Sequence, residues 1–92
     1  IVYIELLQRG YTVYIGKVKD KEIDFIAEKG SKRLYFQVCY LLATAETRKR
    51  EFAVYHEISD NHPKYVLSMD TIDFSQDGYI HKNIIHWLLD KA

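Results

Sequence analysis

Apolar positions along the chain change their period several times, and each change marks an element. Ile1, Ile4 and Leu7 recur every third residue and Gly10 follows, where a helix can end at positive φ, so the spacing predicts a helix over Ile1–Arg9. Tyr11–Val18 is dense in β-branched and aromatic residues and reads as a strand. The charged run KVKDKE turns the chain into a second strand, Glu22–Ala27, and EKGSKR, with Gly30 and Ser31 at its tip, turns it into a third, Arg33–Leu41. Connections this short predict an antiparallel meander. The pattern then becomes helical. Thr44 is the expected N-cap, Glu46 suits the positive helix end, and Phe52, Tyr55 and Ile58 or Ser59 mark one face of a helix running to about Ile58. Asp60, Asn61 and Pro63 stop it, and the almost continuous apolar run Tyr65–Met69 predicts a strand buried on both faces. After a short extended piece, Tyr79–Lys82, Asn83 caps a last helix, Ile84–Leu89, whose Ile84, Ile85, Trp87, Leu88 and Leu89 cover most of its circumference.

This order predicts one α/β (α+β) domain over residues 1–92, with a mixed four-strand sheet flanked by helices. A chain of 92 residues holds one thin core, and two layers are the expected arrangement. With 48% hydrophobic and 28% charged residues the composition is that of an ordinary globular domain, which argues against disorder. The formal net charge is zero, so a nucleic acid or membrane surface would have to be met by a local patch. The single cysteine, Cys39, excludes an internal disulfide and supplies no zinc-ligand spacing, which fits a reduced, cytoplasmic setting. No apolar run approaches the ~20 residues that span a bilayer, and the first ten residues lack the basic flank and cleavage site of a signal peptide. Because the chain starts at Ile1 inside an apolar run, without an initiator methionine, it is expected to be a piece of a longer protein.

Candidate chemistry comes from polar residues inside strands. Alternation puts Ile23, Phe25 and Ala27 on one face of the second strand and Glu22, Asp24 and Ile26 on the other. In the third strand Leu34, Phe36, Val38 and Tyr40 oppose Tyr35, Gln37 and Cys39. A register that sets Asp24 near Gln37 would gather polar and soft groups at one spot, within reach of Glu5, the only carboxylate of the first helix.

A helix with Glu5, then EIDFI, FQVCY, a helix and KYVLSMD resembles the PD-(D/E)xK nuclease core, the restriction-endonuclease-like arrangement helix-β-β-β-helix-β. The phrases EIDFIAEK, YFQVCYLL, REF and PKYVLSMD look like the C-terminal domain of unknown function of bacterial and archaeal AAA-type P-loop ATPases, a nuclease-like fold with a degenerate site. The resemblance implies that Glu5, Asp24 and Gln37 occupy the ligand positions for Mg²⁺ or Mn²⁺ and that Cys39 stands where the catalytic lysine belongs. It also implies an ATPase module upstream, as the expected intramolecular partner. No GxxxxGK[ST] occurs here, so nucleotide binding is not expected within this chain. Gln37 brings a carbonyl oxygen but no charge, and a thiol cannot replace an ammonium that orients water and stabilises negative charge. Lys17, on the first strand, and Arg48, Lys49 and Arg50, on the following helix, are the cations that could stand in for it.

Structural readings accompany each residue. Glu5 could pair with Arg9 on an exposed helix face, and Cys39 could be a small buried hydrophobe. Lys32, Arg33, Arg48, Lys49 and Arg50, flanked by Tyr35 and Tyr40, could form one basic patch for DNA. His56, His62, His81 and His86 show no metal-ligand spacing and are expected on the surface or in turns. The leading expectation is a noncatalytic nuclease-like module that binds nucleic acid or a protein partner. A Mg²⁺-dependent endonuclease with a displaced lysine and a pure interaction or oligomerisation module are the alternatives.

Overall fold

The computed structural model describes residues 1–90. Helix α1 (Val2–Gln8) is followed by strands β1 (Thr12–Val18), β2 (Lys21–Lys29) and β3 (Lys32–Val38). Helix α2 (Ala45–Ala53), a 3-10 turn (Val54–Glu57), β4 (Lys64–Ser68), β5 (Ile80–Asn83) and α3 (Ile84–Leu89) complete the order. The expected meander is present: β1–β2 and β2–β3 are antiparallel, whereas β3–β4 and β4–β5 are parallel. The sheet is therefore mixed, in the order β1-β2-β3-β4-β5.

Five strands stand where four were expected. The piece read as extended pairs with β4 through Val66↔His81 and Leu67↔Lys82. A four-residue strand carrying His81, Lys82 and Asn83 has no periodic signal of its own, so its pairing is decided by β4. The layers also number three. Val2, Leu6 and Trp87 pack with Ala27, Phe36 and Leu67 on one face of the sheet, while Phe52, Val54 and Tyr55 pack with Ile23, Tyr35 and Val66 on the other. The central strands bury both faces, as the apolar run of β4 required.

Local chemistry accounts for the helix ends. Gly10 adopts φ +91° after α1, the Thr44 hydroxyl accepts from the Thr47 amide, and Asn83 Oδ1 accepts from the Ile85 and His86 amides. The α-helix stops at Ala53, short of Ile58, because the tighter turn that follows drives Val54 and Tyr55 into the core, where the Tyr55 hydroxyl donates to the Tyr65 carbonyl at 2.5 Å. β3 ends at Val38 instead of Leu41, and Tyr40 is 77% exposed.

One irregularity matters for the site. Tyr14 faces Ile26 and Gly16 faces Ile23, so the single residue Ile15 spans Asp24 and Phe25, a β-bulge in β2. The bulge resets the alternation. Ile23 joins Ile26 on the α2 side, and Phe25 and Ala27 lie toward α1 and α3. Gly16 permits this close passage, since a side chain there would collide with the Ile26 Cδ1 methyl.

Candidate functional site

Continuing the register Phe25↔Phe36 sets Asp24 opposite Gln37. The Asp24 amide donates to Gln37 Oε1 at 2.9 Å, and the Val38 amide donates to Asp24 Oδ2 at 2.8 Å. The β2–β3 backbone pairing stops at Phe25↔Phe36, and these two side chains carry the hydrogen bonds between the strands beyond it. Gln37 is 6% exposed and its Nε2 donates weakly to the Glu51 carbonyl at 3.5 Å, so the amide is used at both ends. Asp24 and Gln37 border an open cleft of about 370 Å³ together with Lys21, Arg50 and Glu51.

Glu51 is the carboxylate that sequence reading missed. It lies one residue before Phe52, whose burial turns this side of α2 toward the sheet and brings Glu51 over Asp24. Burial, and then the negative charge of Asp24, raise its carboxyl pKa, with Arg50 Nε at 3.6 Å acting the other way. The phrase REF contained this residue, but only the docking of α2 gives it a neighbour.

Cys39 follows at the end of β3, its amide donating to the Leu67 carbonyl at 3.0 Å and its side chain half-buried beside the α2 cluster. Burial, then the charges of Glu51, Asp70 and Asp24 push the thiol pKa up to about 12, against a small opposing effect of Arg50. The group is a neutral thiol at pH 7, neither a nucleophile nor a substitute for an ammonium.

Glu5 behaves differently from Asp24. Its Oε2 lies 2.7 Å from Arg9 Nε, the i, i+4 pair anticipated, and Arg9 in turn donates to the Trp87 carbonyl at 2.8 Å and stacks over the Trp87 ring at 4.5 Å. The pair is not on an exposed face: the Glu5 side chain is 11% accessible. It tethers α1 to α3 on the face of the sheet opposite α2, whereas Gln37 lies under α2. Among the described residues no three His, Cys, Asp or Glu side chains approach closely enough to share one metal ion.

The predicted basic patch is dispersed. Lys32 and Arg33 open β3, and Arg33 is paired with Glu28 at 3.2 Å. Arg48 lies beyond the other end of that strand, roughly 20 Å away at strand spacing, donating to the Leu42 and Ala43 carbonyls. Arg50 lies 3.6 Å from Glu51 with its own side chain 70% exposed, and Lys49 is exposed too. Tyr35 does not flank a surface patch, because it is 4% exposed and its hydroxyl donates to Asp60 at 2.5 Å. Lys17 sits on β1 opposite Glu22.

A second polar cluster closes the C-terminal ends of β4 and β5. His81, expected on the surface, is 5% exposed because β5 pairs inside the loop that precedes it. Its Nδ1 accepts the Phe74 amide at 3.0 Å, so Nε2 carries the proton and donates to Ser68 Oγ at 2.7 Å. The Ser68 hydroxyl then donates to Asp70 Oδ2 at 2.7 Å, which also accepts the Leu42 amide at 2.6 Å. Serine, histidine and aspartate meet here in the wrong order for nucleophile activation, since the imidazole presents a proton to the hydroxyl instead of removing one.

Comparison with known proteins finds an uncharacterized protein of Haemophilus influenzae (strain ATCC 51907 / DSM 11121 / KW20 / Rd), 39% identical over 90 residues, which amount to 97% of this chain and 22% of that protein. The chain thus spans about a fifth of the length of this relative. No family model and no solved structure matches it.

Proposed function

We propose that the chain is a noncatalytic, nuclease-like module of a longer bacterial protein, built on the restriction-endonuclease-like pattern and working in the cytoplasm by binding a partner. The observation that carries this reading is Cys39, a half-buried cysteine packed against the α2 cluster at the position where the resemblance calls for an ammonium. The hydrogen bonds that engage Asp24 and Gln37 with the β2–β3 backbone support the same view. A protein partner is favoured over DNA, because Arg33 is paired with Glu28 and Arg48 donates to the Leu42 carbonyl, which leaves Lys49 and Arg50 as the exposed cations of α2. The resemblance makes an AAA-type ATPase module the partner of choice, and the far greater length of the Haemophilus relative leaves room for one.

Glu51 favours a second reading, a Mg²⁺- or Mn²⁺-dependent endonuclease. Asp24 and Glu51 would hold the ion, which when bound would neutralise phosphate charge and acidify a water. The test is incubation of the chain with single-stranded and supercoiled DNA in 10 mM Mg²⁺ or Mn²⁺, with binding followed by fluorescence anisotropy at low and moderate salt. No cleavage and no salt-sensitive binding are expected. Cleavage abolished by Asp24→Asn would establish the second reading instead, and salt-sensitive binding without cleavage would move the partner to nucleic acid.

A further inference from the structure

The segment that joins β4 to β5 is lightly anchored. From Thr71 to Gly78 every residue except Phe74 is exposed, and a bridge joins Gln76 to Tyr79 at its far end. Phe74 is the apolar foothold: it packs on the cluster beneath α2, with the Arg48 guanidinium 4.7 Å above its ring. Its amide ends on a titratable group, donating to His81 Nδ1 at 3.0 Å. Ser75 completes the same corner. Its hydroxyl accepts the His81 amide at 2.8 Å and donates to Asp73 Oδ1 at 2.6 Å.

An amide can donate to an imidazole nitrogen only while that nitrogen carries no proton. Nε2 already presents its hydrogen to Ser68 Oγ, so an added proton has only Nδ1 to occupy. There it meets the Phe74 N–H donor to donor, and one of the two must give way. The ring sits on a paired strand, Val66↔His81, whereas the amide belongs to the loop, so the amide moves. Neighbouring groups decide where the new N–H turns. β4 offers the hydroxyl of Ser68, and the Arg48 guanidinium of α2 is engaged by the Phe74 ring and the Leu42 and Ala43 carbonyls. Asp70 holds Ser68 and the Leu42 amide. Lys82, His86 and Asp90 line one cleft of about 390 Å³ with His81, and Asp90 lies 3.7 Å from Lys82. Asp73, the residue before Phe74, lines that cleft too. Burial opposes charging the ring, and Asp70 and Asp73 are the charges that favour it.

We infer that the β4–β5 loop is a proton-operated latch: with His81 neutral it is closed on the Phe74 amide, and with His81 protonated Nδ1–H turns to the Asp73 carboxylate while residues 71–75 swing off β5. The proton comes from solvent, and no covalent bond changes. Asp73 cannot serve the ring and keep its bonds to Ser75, so the Ser75 hydroxyl loses its acceptor and lets go of the His81 amide. Opening therefore bares the edge of β5 and widens the cleft beside it. The pairing of β4 with β5 is untouched, because Val66↔His81 and Leu67↔Lys82 involve none of the loop. Only Phe74 has packing to lose, which lets the segment open as a local unit without the sheet. The latch shares no residue with the Asp24–Gln37 pair and does not depend on the function proposed above.

Nuclear magnetic resonance of the isotope-labelled chain between pH 7.5 and pH 4.5 tests the inference. The ring nitrogens report the titration of His81, and amide exchange, corrected for its intrinsic pH dependence, reports the loop. Exchange at the Phe74 and His81 amides should rise by at least about tenfold as the ring takes up its proton, while Val66 and Leu67 keep their protection. Asp73→Asn supplies the contrast, since its Oδ1 still accepts from Ser75 but carries no charge. It should lower the midpoint of both the ring titration and the loop opening by about half a pH unit. A Phe74 amide still protected after the ring has titrated, or a ring still neutral at pH 4.5, would overturn the inference. So would loss of protection at Val66 and Leu67 together with Phe74, or a midpoint indifferent to Asp73→Asn.

Discussion

At Cys39, three carboxylates act on one half-buried sulfur. Burial is the largest influence on the thiol, and Glu51, Asp70 and Asp24 add to it. A rise from 9.0 to about 12 is three pH units, so the thiolate population near neutrality is about a thousandfold below that of an ordinary cysteine. Alkylation of the folded chain by iodoacetamide at pH 7.5 should be slower than that of the urea-unfolded chain by two to three orders of magnitude. The rate should still be climbing tenfold per pH unit at pH 10. A plateau near pH 9 would show that neither burial nor the carboxylates raise the thiol pKa. Asp24 and Gln37 could be singled out in the sequence because polar residues inside β-rich runs demand partners. Glu51 could not, because in the run TRKREF nothing local separates it from a solvated helix residue.

The loop between β4 and β5 depends on a single imidazole. His81 receives the Phe74 amide on one nitrogen and donates to Ser68 from the other, and its own amide is held by Ser75. Replacing it by leucine leaves the buried Ser68 hydroxyl and the Phe74 amide without this partner, a loss of about 1–3 kcal/mol. His81→Leu should lower the thermal midpoint accordingly and raise hydrogen exchange at Phe74. Burial lowers the His81 pKa below 6.5, with Asp70 and Asp73 opposing. The unfolded chain therefore takes up the proton first as pH falls below about 6.5, and the stability held by the neutral ring is lost from there downward. Denaturant titrations of wild type between pH 7 and 5 should show that slope, and His81→Leu should flatten it. A wild type of constant stability over this range would refute the assignment of the neutral ring.

Across the molecule, acid stability has a second and lower window. Lys64, 6% exposed, donates to the Asp60 carboxylate at 2.9 Å and to the Asp60 and His62 carbonyls, and Tyr35 reaches the same carboxylate from β3. These contacts tie the turn before β4 to the centre of the sheet. Burial tends to raise the Asp60 pKa, but the hydrogen bonds from Tyr35, Lys64 and the His62 amide outweigh it and hold the carboxyl at about 2. The unfolded value is near 3.8, so this stabilisation is complete above about pH 4 and disappears as pH falls toward 2. Asp60→Asn should destabilise the chain at pH 7 and lose the pH 4 to 2 part of the acid-unfolding curve, followed by circular dichroism. An unchanged acid limb would place the responsible carboxylate elsewhere. Among the described residues no helix is long and apolar enough to cross a membrane.

The sequence by itself determined the elements whose signals are local. The Gly10 stop, the Thr44 and Asn83 caps, the turn at Gly30 and the strand runs of β1 to β4 follow from backbone and side-chain preferences within a few residues. The closeness of Asp24 and Gln37 was also within reach, because short turns constrain the β2–β3 register. Tertiary structure decided the rest. The bulge at Asp24–Phe25 comes from fitting β2 past Gly16, so it reverses faces that strict alternation assigned. The parallel pairing of β5, the burial of His81 and the meeting of Glu51 with Asp24 join residues 13 to 27 positions apart, brought together by sheet formation and helix docking. The basic residues are near one another in sequence yet divide between the two ends of β3, because a strand carries the chain straight across the sheet before a helix returns it. Contacts of that kind are set by the packing of layers, which no local run of residues encodes.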